Sequence, residues 1–223
     1  MDPDTIGKVA DATKAVAETS GQAIEAAKGL GQIIKGPVED LMGILRDRLQ
    51  MARWERRIAL YEKAHKIMRT RQIQMPTREL PLNFAVPLLT TAMIEEDDEL
   101  QDAWARMLVN AGDASTDMEL RTAYVEILRG MSAFDVKNLS ALAVATLSLP
   151  PSAPHGLGVM KVLHPDLVPP GKDAPDVPPE LAISLANLAR LGCAMPGGGF
   201  DGAVLFSIMT VTQLGIALYK ACS

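Results

Sequence analysis

Near the amino terminus, apolar and small residues recur in alternating steps of three and four: Ile6, Val9, Thr13, Val16, Ser20, Ala23, Ala27, Leu30 and Ile34. That is a heptad seam, and it predicts an amphipathic helical arm over 1–36, with Lys8, Asp11, Lys14, Glu18 and Glu25 opposite. The seam is weak. Two of its positions carry hydroxyls and two carry alanine, and Gly7, Gly21, Gly29 and Gly31 each cost about 1 kcal/mol against alanine. Such a helix does not persist alone in water; it needs its own body, a sister chain or a membrane interface to cover it. The aromatic anchors and Lys/Arg excess usual in interfacial helices are missing, which favours protein over lipid. The candidate residues for self-association or membrane contact are Ile6, Val9, Val16, Ala23, Ala27, Leu30 and Ile34.

Gly36-Pro37 closes the arm and opens the next element, since proline suits a first helical turn. Residues 37–79 predict a basic helical strut and linker. Val38, Leu41, Met42, Leu45, Leu49 and Ala52 make one apolar stripe. Trp54, Ile58, Tyr61 and Met68 lie nearly opposite on a wheel of about 100° per residue, with Leu60, Ala64 and Ile67 as a further row. Between Arg46 and Arg78 stand ten Lys/Arg against three acids. Arg46, Arg53, Arg56 and Arg57 are candidates for contact with a phosphate or anionic lipid. The alternative is a solvated helix whose arginines pair with the acids of 95–102. The charges are spread around the helix, which favours the second reading.

Residues 80–131 predict a helical core. Leu82 to Ile94 is apolar, with Pro87 in a first helical turn or kinking a helix begun near Pro81. After the acid run Glu95–Glu99, apolar residues at Leu100, Ala103, Trp104, Met107, Leu108 and Ala111 have the spacing of one buried helix face. Asp97 or Asp98 can cap that helix, and the remaining acids suit its positive end. Asp117 is the candidate cap of a helix through Leu120, Tyr124, Ile127, Leu128 and Met131.

The remainder, 132–223, predicts a winged-helix-like domain. Ser132-x-x-Asp135 is a capping-box pattern that opens a helix. Residues 149–179, with nine prolines, are expected to form a long inserted loop. Pro179-Glu180 restarts a helix that Gly192 closes. A glycine-rich turn, Gly197 to Gly202, then joins Cys193-Ala194 to a strand over Val204–Val211, and Thr212 caps a last helix. The expected fold is thus mainly α: a long amino-terminal arm and strut, a helical body, and a winged-helix-like end with a small β-hairpin.

The string PL…VPLL…A..EEDDELQ..WA.ML.NA within 80–111 resembles the core signature of the abortive-infection alpha family of bacterial proteins. RWERRIALYEKAHKIM and NLARLGCA…LFSIMTVTQLGIALYKAC are similar to the same family, and the resemblance runs from about Pro37 to the end. It implies a mostly helical protein of phage defence and supplies no chemistry; the proline-rich insertion departs from the pattern.

Nor do the residues supply any. Gly197 to Gly202 matches G-x-G-x-x-G, but a dinucleotide site needs a strand before the glycines and a helix after them, and here the order is reversed. Cys193 reads as a small buried hydrophobe rather than an activated thiolate. His65, His155 and His164 lack metal-ligand spacing. Seven residues separate Arg57 from His65, too many for the Arg-to-His pattern of helical ribonucleases, and His65 joins the Trp54 face. No catalytic constellation, metal set or cofactor is expected. From Ser132 to Ser223 there are five Lys/Arg against six acids, so the wing has little to offer phosphates and nucleic acid is not an expected partner.

Net charge is −5, and the two cysteines form neither a disulfide framework nor a metal site. With Asp2 and Asp4 where a signal peptide would be basic, a reduced cytoplasm is the expected setting, with peripheral contact at the inner membrane as an option. The expectation is a non-enzymatic defence protein acting by self-association, partner binding or membrane contact through the arm. Its rivals are a winged-helix DNA-binding regulator and a nuclease whose site is not visible in the sequence.

Overall fold

The structure, a computed structural model, describes residues 54–150, 156–168, 176–199 and 204–223. The predicted arm and the first part of the strut lie outside the described residues. Among the described residues the chain is mainly helical, with eight α-helices and one small antiparallel sheet. It divides into two compact units. One takes the chain up to Glu96 together with Trp104–Asp117, the other Asp97–Ala103 together with Met118–Ser223.

In the amino-terminal unit, α1 (Trp54–Thr70) buries the Leu60–Ala64 row, while Ile58, Tyr61 and Met68 stay half-buried. His65 is exposed, its ring stacked on Tyr61 with centroids 5.7 Å apart. α1 ends in a six-to-one turn: Ile73 N–H donates to Met68 O at 2.9 Å while Gln72 takes φ +59°. α2 (Leu82–Ala92) begins after Pro81, so Pro87 sits inside it. Phe84, Ala85, Leu88, Leu89 and Ala92 are buried, each leucine worth about 2 kcal/mol of apolar transfer.

α3 is Asp98–Gly112. Asp97 caps it, its carboxylate accepting from Leu100 N–H at 2.9 Å. The burial goes beyond the single predicted face: from Ala103 to Gly112 only Arg106 is exposed. Trp104 is fully buried and its indole N–H donates to Glu95 at 3.4 Å, so one residue of the acid run serves the core. Met68, Ile73, Pro76, Leu108, Val109 and Gly112 close on a void of about 10 Å³, at the lower limit for a single water.

In the carboxy-terminal unit, α4 is Thr122–Arg129. Asp117 does not cap it. Arg121 holds the capping position with no side-chain bond, because the chain between them turns first, Arg121 N–H donating to Glu119 O. α5 (Ala133–Ser148) opens with the predicted capping box. The stretch expected as an unbroken loop is not one: it holds β1 (Leu157–Gly158), α6 (Val159–Leu163) and a 3-10 turn at Pro165–Leu167. Leu157, Val159 and Met160 are buried, and that burial makes ordered structure out of a proline-flanked stretch without periodicity. α7 (Pro179–Arg190) follows, then β2 (Ala194–Gly198), β3 (Val204–Val211) and α8 (Gln213–Ala221), capped by Thr212. The predicted hairpin is therefore part of a three-stranded sheet of order β1-β3-β2, with Leu157 opposite Met209 and Ala194 opposite Val211. α5 packs on α6, α7, α8 and β3. Both outer strands are poor edges: β1 has two residues, and β2 carries Pro196 with a register shift beside it.

Candidate interaction surface

A buried polar network holds α5 to α7. Asp135 is buried at the first turn of α5. One carboxylate oxygen accepts from Ser184 Oγ at 2.5 Å; the other accepts from Ser132 N, Ser132 Oγ and Asn187 Nδ2 at 2.8, 2.9 and 2.9 Å. Asn138 Nδ2 donates to Ser184 Oγ at 3.0 Å, and Asn187 Nδ2 also reaches Gly130 O. Burial pushes this carboxyl up, but the Ser132 amide and the Ser184, Asn187 and Ser132 side chains outweigh it, and the group lies below the ordinary aspartate value. Ser184 gives its proton to a carboxylate and is itself buried, an arrangement that fixes two helices and does not make a nucleophile.

Cys193 is fully buried, and burial pushes its thiol up to about 11. It is a core residue without thiolate character. Among the described residues no group of three or more His, Cys, Asp or Glu is placed to hold a metal ion.

In the amino-terminal unit two arginines of the basic stretch are directed to the end of α3. Arg78 Nε donates to Ala111 O at 2.7 Å and its Nη2 to Asn110 O at 3.0 Å, while Arg71 Nη1 donates to Asn110 Oδ1 at 2.5 Å. A cation at a helix carboxyl end suits both its open carbonyls and its dipole. Beside them an open groove of about 710 Å³ is lined by Arg71, Gln72, Gln74, Thr77, Asp113 and Ser115, among others. The Ser115 hydroxyl and amide, bonded to Asp113, hold its carboxyl below the ordinary value. Of the candidate anion contacts, Arg56 and Arg57 are half-buried on α1, whereas Arg46 and Arg53 lie outside the described residues. So do Ile6, Val9, Val16, Ala23, Ala27, Leu30 and Ile34.

Exposed apolar side chains stand on the sheet and on α7. Met209 and Val211 point into the core. On the other face of β3 stand Ile208 and Thr210, with Gly158 across from Ile208 and Met195 across from Thr210. Met195 is 56% exposed, Ile208 44%, and Val204, at the open end of the strand, 61%. Glycines flank Ile208: a Cβ on Gly156 or Gly197 would come within 2.7 or 3.2 Å of its side chain. No charged residue occurs in β2 or β3. On α7, Ile183 is 72% exposed, and the one cation, Arg190, donates to Asn187 Oδ1 from the same helix. Solvent-facing strand positions are ordinarily polar; VLFSIMTV reads as a strand covered on both sides, and that pattern was the sequence's signal for this face.

The abortive infection alpha profile matches residues 53–222. The chain belongs to the abortive infection alpha family. The match begins at the described end of the strut, so the seam at 6–34 lies outside the part that carries abortive infection alpha membership. No curated protein and no solved structure matches the chain. Among the described residues, no helix is long and apolar enough to cross a membrane.

Proposed function

We propose that this abortive infection alpha protein is a non-enzymatic phage-defence protein that works by binding protein, and that its carboxy-terminal unit is a winged helix turned to that purpose. The order helix, short strand, two helices, hairpin, with sheet order β1-β3-β2, supports the winged-helix reading. In such a unit α7 would be the recognition helix. The observation that carries the proposal is Ile183, 72% exposed on that helix, whose sequence holds one cation, Arg190. A duplex reader neutralises phosphates with Lys and Arg, whereas an exposed apolar side chain on a rigid helix serves a protein contact. The amino-terminal arm is the second element of the proposal, as a self-association segment at the periphery of the inner membrane or in the cytoplasm.

The test compares two single variants in cells challenged with phage. Ile183→Asp is expected to lower protection at least tenfold in plaquing efficiency, while Arg190→Ala keeps it. The reverse order, together with a gel shift that weakens steeply with salt, would establish the DNA-binding alternative. Deletion of 1–35 that left both oligomer mass and protection unchanged would remove the arm from the mechanism.

A further inference from the structure

We infer that the groove beside the end of α1 is a nucleotide-binding site, with Lys66, Arg69 and Arg71 for a phosphate and Gln72 and Gln74 for a base. It lies wholly within the amino-terminal unit and goes beyond the protein-binding reading of the other one.

The first observation is charge. Residues 63–78 hold five Lys/Arg and no acid, so the shortage of cations that turns phosphates away from the wing does not extend to this run. Lys66 and Arg69 are exposed, and among the described residues neither side chain meets an acid. Arg71, in the next turn, lines the groove and donates to Asn110 Oδ1 at 2.5 Å, a bond that steadies its planar fork.

The second is Gln72. It takes φ +59°, a conformation that costs glutamine and not glycine. A side chain kept in such a position is a sign of use, and this one lines the groove. Gln74 lines it two residues on. Both are exposed, and among the described residues neither side-chain amide has a partner. An amide offers two hydrogens and an acceptor oxygen, the complement of a base edge. Met75, 58% exposed in the same lining, adds an apolar contact for the flat of the base.

The third is size and polarity. At about 710 Å³ the groove falls in the range that small ligands and cofactors occupy. The one acid of its lining, Asp113, already accepts from Ser115 N–H at 2.9 Å and the Thr77 hydroxyl at 3.5 Å. A carboxylate there keeps a phosphate to the α1 side, and its remaining acceptor positions suit sugar hydroxyls.

Equilibrium binding to the full chain tests this with three probes: the four ribonucleoside 5′-monophosphates, a short single-stranded RNA of mixed sequence, and polyglutamate. Saturable binding of a monophosphate marks a site for free nucleotide, and binding of the RNA alone marks a site for a strand; either supports the inference. Lys66→Glu combined with Arg69→Glu should weaken that binding about tenfold or more and flatten its dependence on salt. Gln72→Gly should weaken it severalfold while relaxing the turn, a pairing that a merely structural glutamine does not produce. Gln74→Ala, an exposed change with no fold contact to lose, should weaken it to a similar degree. Absence of saturable binding by nucleotide and RNA alike would overturn the inference. So would polyglutamate binding as tightly as either, or affinity unchanged in the double charge variant or in both glutamine variants.

Discussion

Ser184 donates its hydroxyl proton to Asp135 at 2.5 Å, joining residues 49 apart in the sequence on two different helices. The bond is one of several that a single buried carboxylate accepts. Asp135→Asn replaces an all-acceptor group with one that presents two hydrogens, so donors from Ser132 or Asn187 lose their partner. Leaving such donors buried costs on the order of 3 kcal/mol. A urea titration followed by circular dichroism should show that loss, with helix content at zero denaturant unchanged.

The same carboxylate makes stability depend on acid. Its native pKa is lowered, so its contribution is complete above the ordinary aspartate value of about 3.9 and is lost as pH falls through the lower native value. Between about pH 6 and pH 3 the wild type should lose more stability than Asp135→Asn, which has no proton to take up at that position. Parallel curves for the two proteins would show that Asp135 is not a source of the acid sensitivity.

Two helices end in the same turn with different residues at its left-handed position. Cys193 N–H donates to Leu188 O at 2.9 Å with Gly192 at φ +73°, and Ile73 N–H donates to Met68 O with Gln72 at φ +59°. Glycine takes that conformation freely; glutamine does not. Gln72→Gly should therefore raise stability by about 1 kcal/mol, and Gly192→Ala should lower it by a similar amount. Melting temperatures moving apart by a few degrees in opposite directions would bear this out.

Gly215 admits no side chain. A Cβ there would lie 2.1 Å from Cys193 O, the carbonyl that accepts Thr212 N–H at 3.0 Å and Thr212 Oγ1 at 3.1 Å. Gly215→Ala must push α8 off the base of the hairpin, at a cost of about 3 kcal/mol or more. Gly198→Ala meets nothing within 4 Å and should be close to neutral. Thermal melts of the two variants make a matched comparison.

Arg78 is the lateral support of α3. Arg78→Met keeps much of the aliphatic stem but leaves the carbonyls of Asn110 and Ala111 without their guanidinium, a loss of about 2 kcal/mol. Arg78→Lys should recover only part of it, because one ammonium does not reproduce the forked pair of contacts. Denaturant midpoints for the two variants check the order.

How far the sequence foretold these features depends on how local their causes are. The Ser132–Asp135 box, the stop at Gly192 and the cap at Thr212 are set by residues within a turn of one another, and each was legible. Asp97 as the cap of α3 was legible for the same reason. Gln72 was not, since nothing in its neighbours announces a left-handed residue. β1 escaped notice because a two-residue strand has no period; it exists through Met209 and Ile208, some fifty residues away. The Asp117 cap failed because a polar turn offers several candidates, and the chain between Asp117 and Thr122 used the backbone of Glu119. The bonds of Arg71 and Arg78 to the amide and carbonyls at the end of α3 join segments more than thirty residues apart, and charge pattern alone does not announce them. As for the interaction surface, the apolar run of β3 was visible, but which of its sides stays open is decided by packing.

Pro196 and the two residues of β1 bound the sheet at either rim. Pairing of a further strand at either rim is therefore disfavoured, and the sheet is a poor template for edge-to-edge growth.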